Sequence, residues 1–113
     1  MGKRALCMIA LLAWGSAFAT DPPPAGAPPA GSQRDLFAEK CGMCHRVTGM
    51  GTGLLRRRYP KGQAQLEART NLSAGFVTTV VRHGLHNMPA LSRAEVSDPQ
   101  LAIIAAYLGR GNP

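Results

Sequence analysis

The chain has 113 residues, of which 45% are apolar, 17% charged and only 5% aromatic, and it carries a formal charge of +7. That length bounds the folded part to one small domain, and no apolar run approaches the ~20 residues that a membrane-spanning helix needs. The positive charge comes without a basic stretch interleaved with aromatics, so a nucleic-acid groove is not expected.

In chain order, Lys3 and Arg4 precede an apolar run from Ala5 to Trp14, and Ala17-Phe18-Ala19 has the small-x-small pattern that signal peptidase cleaves. Residues 1–19 therefore read as a secretory signal peptide, which implies export to the periplasm. Cys7 leaves with it, and the loss of Lys3 and Arg4 lowers the formal +7 to +5. Residues 20–32 are rich in proline, glycine and alanine and read as an extended, solvated tail. The folded domain is expected over residues 33–113.

A helix from Gln33 through Lys40, with Leu36 and Phe37 inward, runs into Cys41-Gly42-Met43-Cys44-His45. C-x-x-C-H is the arrangement through which a protein captures haem covalently. Two thiols about one helical turn apart match two vinyl groups on one porphyrin edge, and the adjacent imidazole reaches the iron. Two other readings use the same cysteines. One is a Cys2His2 zinc site completed by His83 and His86, although that histidine spacing is tighter than usual. The other is a thioredoxin-like redox pair, which needs a βαβ context that the sequence lacks.

Farther along, Gly49 to Gly53 and Arg56 to Lys61 read as loops, with a weak helical pattern around Ala64 to Ala68. A helix opens at Ser73, places Phe76, Val77, Val80 and Val81 on one face and ends at Gly84. Met88-Pro89 follows in a loop, where proline stiffens the backbone behind the thioether. Met88 is thus the best candidate for a sixth iron ligand opposite His45, with His86, His83 and Met50 as alternatives. Ser92-Arg93-Ala94-Glu95 matches a capping box. The last helix is expected to start at Asp98-Pro99, bury Leu101, Ile104, Ala105 and Leu108, and stop before Gly109.

These signals describe an all-α domain. With the leader removed, Phe37, Tyr59, Phe76 and Tyr107 are its only aromatics, a thin supply for a core of this size unless a large flat cofactor completes it.

From Gln33 to Gly109 the residues resemble the small class I cytochromes c. Phe37, four residues before Cys41, stands where that family's first helix carries an aromatic, and Tyr107 stands where the last helix carries the tyrosine that packs on it. Val81-Arg82-His83-Gly84-Leu85-His86-Asn87-Met88-Pro89-Ala90 is similar to the V-R-x-G-x-x-x-M-P-A pattern in cytochrome subunits of p-cresol methylhydroxylase-type flavocytochromes. Two departures stand out. Gln33 occupies a position where many members have the glycine at which the terminal helices cross. Thr52 aligns with a proline whose carbonyl accepts the N–H of the proximal histidine, a bond that the threonine carbonyl can still make.

The resemblance implies a small class I cytochrome c fold, its helices wrapped around one covalent haem c with His45 and Met88 as axial ligands. It implies an electron carrier, not an enzyme on its own, whose partner is a periplasmic flavoprotein dehydrogenase or hydroxylase acting on phenolic compounds. The alternatives are a free-standing respiratory shuttle to an oxidase or peroxidase and, in another class, a haem ligand-binding or peroxidase module. The run Arg56-Arg57-Arg58 with Lys61 either steers an acidic partner or neutralises haem propionates.

Overall fold

A computed structural model describes residues 30–60 and 62–110. The signal peptide and most of the proline-rich tail expected from the sequence lie outside these residues, as does Lys61. The described part is helical: α1 (Ala30–His45), α2 (Met50–Leu55), a 3-10 turn at Leu66–Ala68, α3 (Ala74–His83) and α4 (Asp98–Gly109). Among the described residues there is no strand, only an isolated bridge between Leu85 and Met88. The all-α expectation holds, and the thioredoxin-like alternative has no sheet to rest on.

Helix α1 begins at Ala30, inside the segment whose composition marks it as tail, and continues unbroken through the cysteine motif. Its main tertiary anchor is Phe37, 1% exposed, whose ring lies 6.0 Å from that of Tyr107 at an interplanar angle of 43°. This tilted pairing joins α1 to α4 and places the aromatics where the family resemblance puts them. Tyr107 also donates its hydroxyl to Glu67 Oε1 at 2.5 Å, so the 3-10 turn is tied to the same crossing.

Two boundaries differ from the sequence expectation. The stretch Gly49 to Gly53 is not a loop, since most of it forms α2. Glycine is a poor helix former, but here it lets the short helix lie directly on the end of α1. The cap of α4 is Ser97, not Asp98. Ser97 Oγ accepts from the Gln100 N–H at 3.4 Å while Gln100 Oε1 accepts from the Ser97 N–H at 3.0 Å. That reciprocal box satisfies two donors at once, whereas the Asp98 carboxylate is drawn away to Arg82 and Arg93. The helix also runs one residue farther than expected and includes Gly109.

The Ser73 cap is as expected, with Ser73 Oγ accepting from the Phe76 N–H at 3.1 Å. The apolar face of α3 then divides. Val77 and Val81, one turn apart, are buried against Leu101, Ile104 and Leu108 of α4. Phe76, 49% exposed, and Val80 face a cleft.

Candidate functional site

The cleft, about 410 Å³ in volume, lies between the end of α1 and the loop that follows α3. Cys41, Cys44 and His45 line one part of it because the last turn of α1 presents all three. Leu85, His86, Met88 and Pro89 line another part, while Phe37, Val77 and Ile104 carry the lining down to the core. Every residue expected to hold a cofactor therefore meets at one place. His86 and Met50, the alternative ligands, also reach the cleft. His83 does not: its Nδ1 lies 3.0 Å from Thr79 O, and it borders a separate hollow with Arg82.

Burial controls the chemistry of the α1 wall. It pushes the Cys41 thiol up to about 11, with the neighbouring Cys44 adding to the shift. Burial also lowers the basicity of His45, so its imidazole is neutral near pH 7 and keeps a lone pair free for a metal. Cys41 and Cys44 are not joined to each other by a disulfide.

The ring of His45 rests on α2: a Cβ added to Gly51 would lie 3.2 Å from His45 Cε1 and 3.3 Å from Nδ1. Buried His45 Nδ1 has no hydrogen-bond partner among the described residues, and neither does Oγ1 of Thr52, a residue 0% exposed. The bond implied by the family resemblance, from His45 to the Thr52 carbonyl, is therefore not made. Thr52 lies inside α2, and its carbonyl instead accepts the Arg56 N–H at 3.0 Å.

The basic run also divides. Arg56 donates to Val47 O at 2.7 Å, bracing the α1–α2 connection, whereas Arg57 and Arg58 line the cleft. Arg69 joins them there with its guanidinium 4.2 Å from the centre of the Tyr59 ring. Sequence pattern singled out neither Arg69 nor Tyr59 for this wall, because no local spacing connects them to the cysteine motif.

The Met88 loop, which lines another part of the cleft, has a defined shape. Leu85 and Met88 exchange both backbone hydrogen bonds, at 3.0 and 2.9 Å, around His86 with φ of 52°. Gly84 opens this turn with φ of 76°, and a Cβ there would lie 2.7 Å from Met88 O. Any other residue would face both backbone strain and a clash with the methionine.

A large, apolar, iron-bearing group suits this donor set: paired thiols one turn apart, a neutral imidazole beside them, and a soft thioether and apolar side chains lining the same cleft. Among the described residues no group of three or more His, Cys, Asp or Glu is placed to hold a metal ion, so the zinc alternative lacks its site. No helix among them is long and apolar enough to cross a membrane.

Residues 28–108 match the family described as cytochrome c oxidase, cbb3-type, subunit III, and the chain belongs to that family of cytochrome c domains. It is a class I cytochrome c electron-transfer domain, of a family that carries covalently bound haem c. It is 30% identical over 79 residues to the 4-cresol dehydrogenase [hydroxylating] cytochrome c subunit of Pseudomonas putida, an alignment covering 69% of this chain. The chain spans only 58% of that relative's length. No solved structure gives a significant match.

Proposed function

We propose that this chain is an exported cytochrome c holding one haem through Cys41 and Cys44, with His45 and Met88 as axial ligands. The observation that carries the proposal is the shared cleft, with the α1 cysteines and imidazole on one side and the Met88 thioether on another. Haem, when bound, supplies one-electron exchange between ferrous and ferric iron. Cys41 and Cys44 secure it as thioethers, so the cofactor cannot be lost by dissociation. His45, kept neutral by burial, offers its lone pair without first releasing a proton. The soft sulfur of Met88 favours the ferrous state and so raises the potential. The apolar lining from Phe76, Val77, Val80 and Ile104 excludes water, which limits the reorganisation that accompanies each change of charge.

The electron donor we propose is a periplasmic flavoprotein that oxidises phenolic compounds, delivering electrons one at a time. The similarity to a 4-cresol dehydrogenase cytochrome subunit supports this partner, and the signal-like residues 1–19 support export.

Two measurements test the site. Purified holoprotein should retain its haem through acid-acetone extraction and give a c-type pyridine haemochrome; a colourless, zinc-containing product would overturn the proposal. Met88→His should keep a six-coordinate haem and lower its potential markedly, each ~59 mV being tenfold in a one-electron equilibrium. An unchanged potential and spectrum would move the sixth ligand to His86, His83 or Met50.

A further inference from the structure

We propose that Arg82 is the positioning residue that latches the Met88 loop to α3, so that the thioether stays at the sixth position. This rests on the reading of Met88 as a ligand and assigns the group that keeps it in place. The segment from Gly84 to Ser97 contains no helix or named strand, and a connection of that kind is ordinarily the most mobile part of a small domain. A mobile loop would leave the soft ligand free to detach.

Arg82 ties it down at three carbonyls. One guanidinium nitrogen, Nη1, donates to Leu91 O at 3.1 Å and Ser92 O at 3.3 Å. The other, Nη2, donates to Val96 O at 2.9 Å and to Asp98 Oδ1 at 2.7 Å. Between them, the Leu91 N–H donates to Val81 O at 2.8 Å. The guanidinium thus fastens the chain just beyond Met88 to the last turn of α3, whose own position is set by buried Val77 and Val81.

Burial separates this latch from the surface charges near it. The Arg82 side chain is 13% exposed, whereas Asp98 is 59% and Arg93 is 74% exposed. The Asp98 ion pair is accordingly the solvated, weak part of the arrangement, and Arg93 holds the same carboxylate at 2.8 Å. Of the carbonyl contacts, those to Leu91 O and Val96 O are part-buried, while that to Ser92 O is exposed. Only a planar fork with several fixed donors reaches all of them, so lysine keeps the charge but cannot reproduce the geometry.

The test uses ferric holoprotein and free imidazole, which competes with Met88 for the iron. Its apparent affinity rises in proportion to the fraction of molecules with an open loop. Arg82→Lys should bind imidazole at least tenfold more tightly than wild type, equivalent to about 1.4 kcal/mol of loop opening. Asp98→Asn and Arg93→Ala, which remove only solvated charge, should change that affinity less than about threefold.

Wild-type affinity in Arg82→Lys, whatever its melting temperature, overturns the latch, because a merely structural arginine would alter stability alone. An effect of Asp98→Asn equal to that of Arg82→Lys overturns it too, since the ion pair would then be what holds the loop. Amide exchange on the wild type needs no variant: the N–H groups of Met88 and Leu91 should be protected as well as those of α3, and exchange at exposed-loop rates refutes the proposal. A ferric spectrum that lacks the far-red thioether-to-iron band and is unaltered by Met88→Ala removes the Met88 reading and the latch together. A normal band with an inert Arg82 removes the latch alone.

Discussion

Replacing Phe37 with alanine tests whether the α1–α4 crossing is what builds the site. The ring is 1% exposed, pairs with Tyr107 at 6.0 Å and borders the cleft beside Cys41. Removing a buried phenylalanine costs about 3–5 kcal/mol through lost transfer energy and the cavity left behind. Of this, about 0.5–1.5 kcal/mol belongs to the aromatic pair itself. In a domain of this size each kcal/mol lowers the melting temperature by about 4–8 °C, so Phe37→Ala should melt at least ~12 °C below wild type. Guanidinium unfolding of the holoprotein, followed by far-ultraviolet circular dichroism, gives the free energies. A cycle with Tyr107→Leu isolates the pair even though that second change also removes the hydroxyl held by Glu67. A cost below ~1 kcal/mol for Phe37→Ala would refute the assignment of Phe37 to a tightly packed core. A coupling energy indistinguishable from zero would refute the ring pairing.

Three further outcomes follow from the cleft and its surroundings. Arg57 and Arg58 line the cleft, so reversing either to glutamate should favour the more positive ferric state and lower the midpoint potential, whereas reversing Arg56, held by Val47 O, should leave it nearly unchanged; a slower, less salt-dependent reaction with the partner at constant potential would instead assign the cluster to docking. Thr52→Val removes a buried hydroxyl with no hydrogen-bond partner among the described residues and should leave the melting temperature equal or higher; a drop of ~4 °C or more would show that the hydroxyl is bonded. Glu95 is held below its ordinary range by the backbone and side chain of Ser92, and Asp98 by Arg93 and then Arg82, so their stabilisation is fully present above about pH 5 and is lost as pH falls through the depressed values. Glu95→Gln and Asp98→Asn should therefore flatten the acid limb of the stability profile measured by thermal melts between neutral pH and pH 2, and an acid limb identical to wild type would refute the assignment.

Residues adjacent in the chain carried most of what was legible beforehand. Cys41, Cys44 and His45 form one helical turn whatever the rest of the protein does, so their chemistry can be read from spacing alone. Ser73 with Phe76, and the apolar repeat of Leu101, Ile104 and Leu108, are likewise local patterns with the period of a helix. The family resemblance extended this reach to one distant pair, placing Phe37 on Tyr107. Local preference misled at Gly49 to Gly53, because the propensity of glycine for loops is worth less than close packing of α2 on the end of α1.

Tertiary structure alone decided which side chains surround the cleft. Arg69 and Tyr59 reach it from separate turns, Glu67 crosses to the Tyr107 hydroxyl, and the Thr52 carbonyl is taken by α2 and not by His45. The same holds for Arg82, since a guanidinium on α3 meets carbonyls at Leu91, Ser92 and Val96 only after the chain has turned back at Gly84. Spacing fixes contacts within one turn of a helix, but contacts between elements depend on how buried faces choose to pack, and no periodicity in this chain encodes where an arginine will find three carbonyls.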